Sequence, residues 1–157
     1  MTVIYPVSEI EKTGFKIFLA GTIDMGNSID WQQKIIDCFQ NIETKTDLIF
    51  LNSRRKNLDS SWVQTVENEQ FNGQVTWELE ALEQSDLIVM FLDAHSKSPI
   101  SMLELGLFAE SGKIIVCCEE GFWRKGNIDI VCKRKNIPTF KTFDTLVDYL
   151  KHFIVEL

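Results

Sequence analysis

The stretch that decides the fold runs Asp86-Leu-Ile-Val-Met-Phe-Leu92, then, after five residues, Ser98-Pro-Ile-Ser-Met-Leu-Glu-Leu-Gly-Leu-Phe-Ala-Glu-Ser-Gly112, then Lys113-Ile-Ile-Val-Cys-Cys118. The outer pieces are unbroken apolar runs of strand length. Unbroken rather than alternating hydrophobicity marks a strand covered on both faces, as in a parallel sheet. The middle piece is too long for a strand and carries helix punctuation. Ser98 stands as N-cap, Pro99 takes the first helical position where its missing N–H costs nothing, and Gly112 lies at C′, with the helix expected over 99–111. Strand, crossover helix and strand in this order form a βαβ unit.

Working outward, Lys16-Ile-Phe-Leu-Ala20, closed by Gly21, and Asp47-Leu-Ile-Phe-Leu51 read as strands of the same kind, and 137–140 as a short fifth. Trp31, Ile35, Cys38 and Phe39 fall at helical spacing after the candidate caps Asn27 and Ser28. Phe71, Val75, Leu79 and Leu82 repeat that spacing, and the tail over 143–154 is a fourth helix. The alternation predicts an α/β protein, a doubly wound sandwich with a mostly parallel sheet of about five strands. It forms one domain over 15–157, preceded by a leader over 1–14. Ligands of such sheets sit beyond the carboxyl ends of the strands, here the segments 21–30, 52–70, 93–104 and 119–128.

Composition excludes several classes. In 157 residues, 16 Lys and Arg stand against 23 Asp and Glu, for a net charge of −7. That is the wrong sign for a protein that neutralises polynucleotide phosphates, so no polymeric nucleic acid is expected as partner. The longest apolar run, 87–92, is six residues, against the ~20 of a membrane-spanning helix, so no membrane partner is expected either. The N-terminus has no basic n-region and soon meets Glu9 and Glu11, which predicts a cytoplasmic protein. Cys117 and Cys118 are adjacent while Cys38 and Cys132 are isolated. With no C-x-x-C spacing these read as reduced core thiols, and no metal or cofactor is expected.

Glu104 is the residue most out of place. Its helix is apolar on nearly every side, and at 100° per residue Glu104 shares a face with Ile100, Ser101, Leu107 and Phe108. A carboxylate there is costly unless paired or used, and six positions past the cap it gains little from the helix dipole. Glu78 lies at the edge of the Phe71/Val75/Leu79/Leu82 stripe and can point along the core boundary, whereas Glu80 and Glu83 fall on the solvated side. The loop Gly21-Thr-Ile-Asp24-Met-Gly-Asn-Ser28 puts a glycine straight after the first strand, which permits close approach of a ligand to backbone. No G-x-G-x-x-G, G-x-x-x-x-G-K-[ST] or G-x-S-x-G motif is present.

Three blocks in order, Phe18-Leu-Ala-Gly-Thr22, Gln74-Val-Thr-Trp-Glu78 with Ser85-Asp-Leu-Ile-Val89, and Ser98-Pro-Ile-Ser-Met-Leu-Glu-Leu-Gly106 with Ser111-Gly-Lys-Ile-Ile115, together resemble the nucleoside 2-deoxyribosyltransferase superfamily. That superfamily also contains hydrolases of nucleoside 5′-monophosphates. The resemblance spans about residues 15 to 120. It implies a flavodoxin-like fold and an N-glycosidic bond-cleaving enzyme in which Glu104 is the nucleophile on the anomeric carbon. Glu78 falls at the position of a second catalytic carboxylate, where many members have Asp. Phe18 falls on an aromatic that is often Tyr, so any hydroxyl role is lost. Ser98, six residues before the nucleophile, matches nucleotide hydrolases, and with Ser101 at a helix N-terminus it points to a phosphate. Gly21, Asp24 and Asp93 complete the expected substrate-binding set, and Glu78, Asp93 or Asp24 are the candidate proton donors to the leaving base. Trp62 and Trp123 are candidates to stack on a base. The partner is a small nucleoside or nucleotide. A homodimer or higher homo-oligomer is implied, with 119–136 as the segment that could reach a neighbour. A non-catalytic nucleotide-sensing module and an NAD glycohydrolase are the alternative readings.

Overall fold

The computed structural model of the chain describes residues 1–10, 13–23, 29–54 and 61–157. Among them lie six strands and five helices: β1 (Thr2–Ile4), β2 (Phe15–Gly21), α1 (Trp31–Phe39), β3 (Leu48–Asn52), α2 (Glu69–Gln84), β4 (Leu87–Leu92), α3 (Pro99–Phe108), β5 (Ile114–Cys118), α4 (Lys125–Lys135), β6 (Thr139–Phe140) and α5 (Phe143–Glu156). The strands form one sheet in the order β1-β3-β2-β4-β5-β6, and every pairing is parallel. From β2 onward this is the flavodoxin-like winding. The chain steps from β2 to β3 on one side, then crosses back to β4 on the other, which leaves a switch point at the carboxyl ends of β2 and β4.

The sheet holds six strands rather than about five. The additional one is β1, inside the segment read as a leader, with Thr2 beside Ile49 and Ile4 beside Leu51. Three residues are too few to announce a strand by pattern.

Period-2 alternation sorts each strand between two cores. Ile17 and Leu19 point with Phe50, Val89 and Ile115 toward α1 and α5. Phe18 and Ala20 point with Leu51, Met90 and Val116 toward α2, α3 and α4. Both faces of β3, β4 and β5 are buried along their whole length, which is why these strands read as continuous apolar runs. Each fully buried aliphatic or aromatic side chain stabilises the sandwich by about 1.5–3 kcal/mol.

The helix ends differ in detail from the sequence reading. α1 is capped by Asp30, whose carboxylate accepts the Gln33 N–H at 3.0 Å; Asn27 and Ser28, the expected caps, lie outside the described residues. α3 begins at Pro99 as expected but ends at Phe108, so Gly112 is not its C′ residue. Gly112 serves instead, at φ +72°, the turn into β5, where a left-handed conformation favours glycine. The buried face of α2 is Trp77, Ala81 and Leu82. Val75 and Leu79 of the expected stripe are 36% and 38% exposed. α4 was not foreseen, because only Ile128 and Cys132 of its eleven residues are buried.

All four cysteines are free thiols. Burial pushes Cys117 up to about 12, and Cys118 and Cys132 up to about 11, the inert state of packed thiols. Among the described residues no cluster of three or more His, Cys, Asp or Glu is placed to hold a metal, and no helix is long and apolar enough to cross a membrane.

Candidate active site

α2 and α3 lie on the same face of the sheet and bring Glu78 and Glu104 together. α3 is amphipathic in an unusual sense. Its inward side is Ser101, Glu104 and Leu105, while Ile100, Leu103 and Leu107 are each about 60% exposed. Glu104 itself is only 9% exposed. Among the described residues no hydrogen bond or ion pair engages its carboxyl group. A buried carboxyl without a donor favours its neutral form, and burial, reinforced by the charge of Glu78, pushes the pKa of Glu104 from 4.5 up to about 8. Glu78 is half-buried and accepts a hydrogen bond from the Gln74 side chain one turn earlier. That same amide also reaches the Ser53 carbonyl, just past β3, at 3.4 Å. The pair thus differs in kind. Glu78 is held by a donor, and Glu104 has none among the described residues.

The second part of the site is a ring of hydroxyls at the carboxyl ends of β2 and β4. Thr22 Oγ1 lies 2.8 Å from Ser96 Oγ and 2.7 Å from Ser98 Oγ, and the two serines are 2.7 Å apart. All three residues are buried. Three hydroxyls carry three protons, and the ring has three contacts, so every proton is used within it. The Asp93 N–H additionally donates to Thr22 Oγ1 at 3.1 Å. Ser98 therefore does not cap α3 with its side chain; it sits at φ +41°, in the left-handed region, with its hydroxyl turned into the ring. Among the described residues no side chain caps the first turn, which leaves the N–H groups of Ile100 and Ser101 as the donors of a helix N-terminus.

The structure places the other expected residues as follows. Phe18 is fully buried in the core beneath α2 and α3. Gly21 is required by the protein itself: at φ +131° an added Cβ would lie 2.1 Å from the Phe91 carbonyl oxygen, so β4 approaches it closely. Asp93, just past β4, accepts the His95 N–H at 2.7 Å and shapes that loop. Ser101 is buried one turn before Glu104 on the same side. Asp24 lies outside the described residues. Trp123 is 49% exposed. It donates its indole N–H to the Lys97 carbonyl at 2.9 Å and carries the Arg124 guanidinium 4.4 Å from its ring, at the approach to α3. Trp62 lies by the start of α2, in a groove that neither Glu78 nor Glu104 lines.

Thr22, Ser96 and Gln74 were missed as site residues. Thr22 and Gln74 stand inside the quoted blocks, yet a hydroxyl 74 residues from its partner has no local signature.

A buried carboxyl with no donor among the described residues and a second carboxylate near enough to act on its charge, carried by helices of a flavodoxin-like sheet, marks a candidate active site. The family model described as nucleoside 2-deoxyribosyltransferase like matches residues 14–122, and the chain belongs to that family. No curated protein matches the chain. Among solved structures, that of a conserved protein from Enterococcus faecalis V583 superposes with a TM-score of 0.59 at 13% identity, covering 90% of this chain and 99% of that one. This likeness speaks to the fold alone.

Proposed function

We propose that the protein cleaves the N-glycosidic bond of a nucleoside or nucleoside 5′-monophosphate through a covalent intermediate on Glu104. The observation that carries the reading is the Glu104 carboxyl itself, buried, without a donor among the described residues, and within reach of the charge of Glu78. As the C1′–N bond lengthens, positive charge grows on the sugar ring, and a carboxylate in a low-dielectric groove stabilises that charge more strongly than one in water. Ionised Glu104 attacks C1′, and the electron pair of the C1′–N bond leaves with the base, which takes up a proton. A water molecule or an acceptor base then displaces the carboxylate from C1′, with overall retention at the anomeric centre. Glu78, ionised beside Glu104, accepts the proton that the incoming nucleophile loses, and the leaving base takes its own proton from water.

The open amides of Ile100 and Ser101 support a phosphate on the 5′ side of the sugar. The Ser98 hydroxyl contributes to that contact only by leaving its ring. The reading is tested by incubating the protein with 2′-deoxynucleosides, their 5′-monophosphates and NAD, with and without an acceptor base. Free or exchanged base is expected from at least one nucleoside or monophosphate, with monophosphates turned over faster. Nicotinamide release alone would move the assignment to an NAD glycohydrolase, and binding without turnover to a sensing module.

We also propose a homodimer or higher homo-oligomer. Ile100, Leu103 and Leu107 of α3 and Val75 and Leu79 of α2 are exposed apolar side chains on the two helices that carry the carboxyl pair, and a second copy covering them would exclude water from the groove. This support lies on α2 and α3 rather than on 119–136.

A further inference from the structure

A groove away from the carboxyl pair runs between α2 and the segment that follows β1. At its α2 N-terminal end it is an open cleft of about 640 Å³, walled by Tyr5, Pro6 and Val7 on one side and by Trp62, Glu69 and Gly73 on the other. It continues, sharing Val7, Glu69 and Gly73, into a second cleft of about 680 Å³ whose walls include Glu9, Thr76, Trp77 and Glu80. The helix stripe Glu69, Gly73, Thr76, Glu80 follows i, i+4, i+7, i+11 and so faces one way. Eleven residues at 1.5 Å each put Glu69 and Glu80 roughly 16 Å apart along the helix axis.

Three features of this groove point to one ligand chemistry. Its described lining contains three carboxylates, Glu9, Glu69 and Glu80, and no Lys, Arg or His. Its apolar surface is largely aromatic and proline ring, which packs well against methylene groups and attracts ammonium. Gly73 stands in mid-helix, where glycine costs about 1 kcal/mol relative to alanine, yet an added Cβ there would meet nothing within 4 Å. The helix has no packing need for this glycine, and its lack of a side chain keeps the groove floor flat. The opposite wall is fixed in turn: Val7 is held at φ +66°, strained for a β-branched residue, while Trp77 donates its indole N–H to the Ser8 carbonyl at 2.8 Å.

We infer that this groove binds a linear aliphatic polyamine, with ammonium groups meeting Glu69, Glu9 and Glu80 and the methylenes between them lying over Gly73 and against the rings. The length of the carboxylate row favours a chain of spaced cations over a single compact one, and the openness of the groove suits a flexible, extended ligand.

Calorimetric titration of the full chain with spermine at low ionic strength tests this. Saturable one-to-one binding is expected, weakening as salt screens the carboxylates. Glu69→Gln and Glu80→Gln should each weaken it about two- to fivefold. Gly73→Leu, which fills the floor, should weaken it at least about tenfold, and Gly73→Ala should weaken it less while raising the melting temperature. Glu104→Gln, and the pair Asp148→Asn with Glu156→Gln on the opposite face of the sheet, should leave it unchanged. Absence of saturable binding, full affinity in Gly73→Leu, or an equal loss in the α5 pair would overturn the inference, the last by showing diffuse attraction to an acidic surface. A lysine-rich peptide that binds the groove while spermine fails to compete would also overturn it.

Discussion

Glu104 is where stability and activity oppose each other. Its folded pKa, about 8, lies above its ordinary 4.5, so between these values the folded protein binds a proton that the unfolded chain has released. Stability contributed by neutral Glu104 is therefore complete below pH 4.5 and is lost as pH rises toward 8. Each tenfold change in ionisation is worth about 1.4 kcal/mol, so the full loss is several kcal/mol. Glu104→Gln should accordingly be more stable than the parent, by a margin that grows from pH 5 to 8 and then levels; urea melts across that range would check it. A gap that stays constant or narrows would contradict the burial argument. Because the proposed attack needs an ionised Glu104, kcat/KM should rise with pH on a limb near 8. Removing the like charge in Glu78→Gln should move that limb to lower pH while reducing kcat. An unmoved limb would separate Glu78 from Glu104 electrostatically. Glu104 was legible in the sequence as a lone carboxyl on an apolar helix. Its bareness and the hydroxyl ring of Thr22, Ser96 and Ser98 were not, because both depend on residues distant in the chain.

Among the elements, β2 and β4 set the register of the site through backbone contact at Gly21. Gly21→Ala would drive a Cβ into the Phe91 carbonyl and force L geometry at φ +131°. A loss of about 3 kcal/mol or more is expected, measurable as a lowered melting temperature or failure to fold, and near-native stability would show that β4 can retreat. The same glycine illustrates what pattern reading does well and badly. Its need for close approach was evident from its place after a strand, but which backbone approaches it was not. The buried strands were legible because parallel sheet covered on both faces writes itself as unbroken apolar runs. α2 misled because Val75 and Leu79 continue an apolar stripe past the edge of the core, while Trp77 and Ala81 carry the packing. β1 and α4 were illegible for opposite reasons, one too short to show a period and the other too polar.

At the scale of the whole molecule, the −7 net charge is a property of the surface and opposes a long polyanion, yet it does not bear on one phosphate at the N-terminus of α3. The exposed apolar surface of α2 and α3 is the feature a monomer least accounts for. Light scattering after size-exclusion chromatography should give a dimer or larger, and Leu103→Glu, which places a charge in that surface, should yield a folded monomer with reduced turnover; a monomeric parent would contradict the proposed assembly. The central claim is that Glu104 cleaves an N-glycosidic bond, and the most direct measurement is chromatographic detection of base released or exchanged from a panel of 2′-deoxynucleosides and their 5′-monophosphates. Turnover of at least one member by the parent is expected, with a loss of at least about a thousandfold in Glu104→Ala. No turnover of any member, or undiminished turnover in Glu104→Ala, would contradict it.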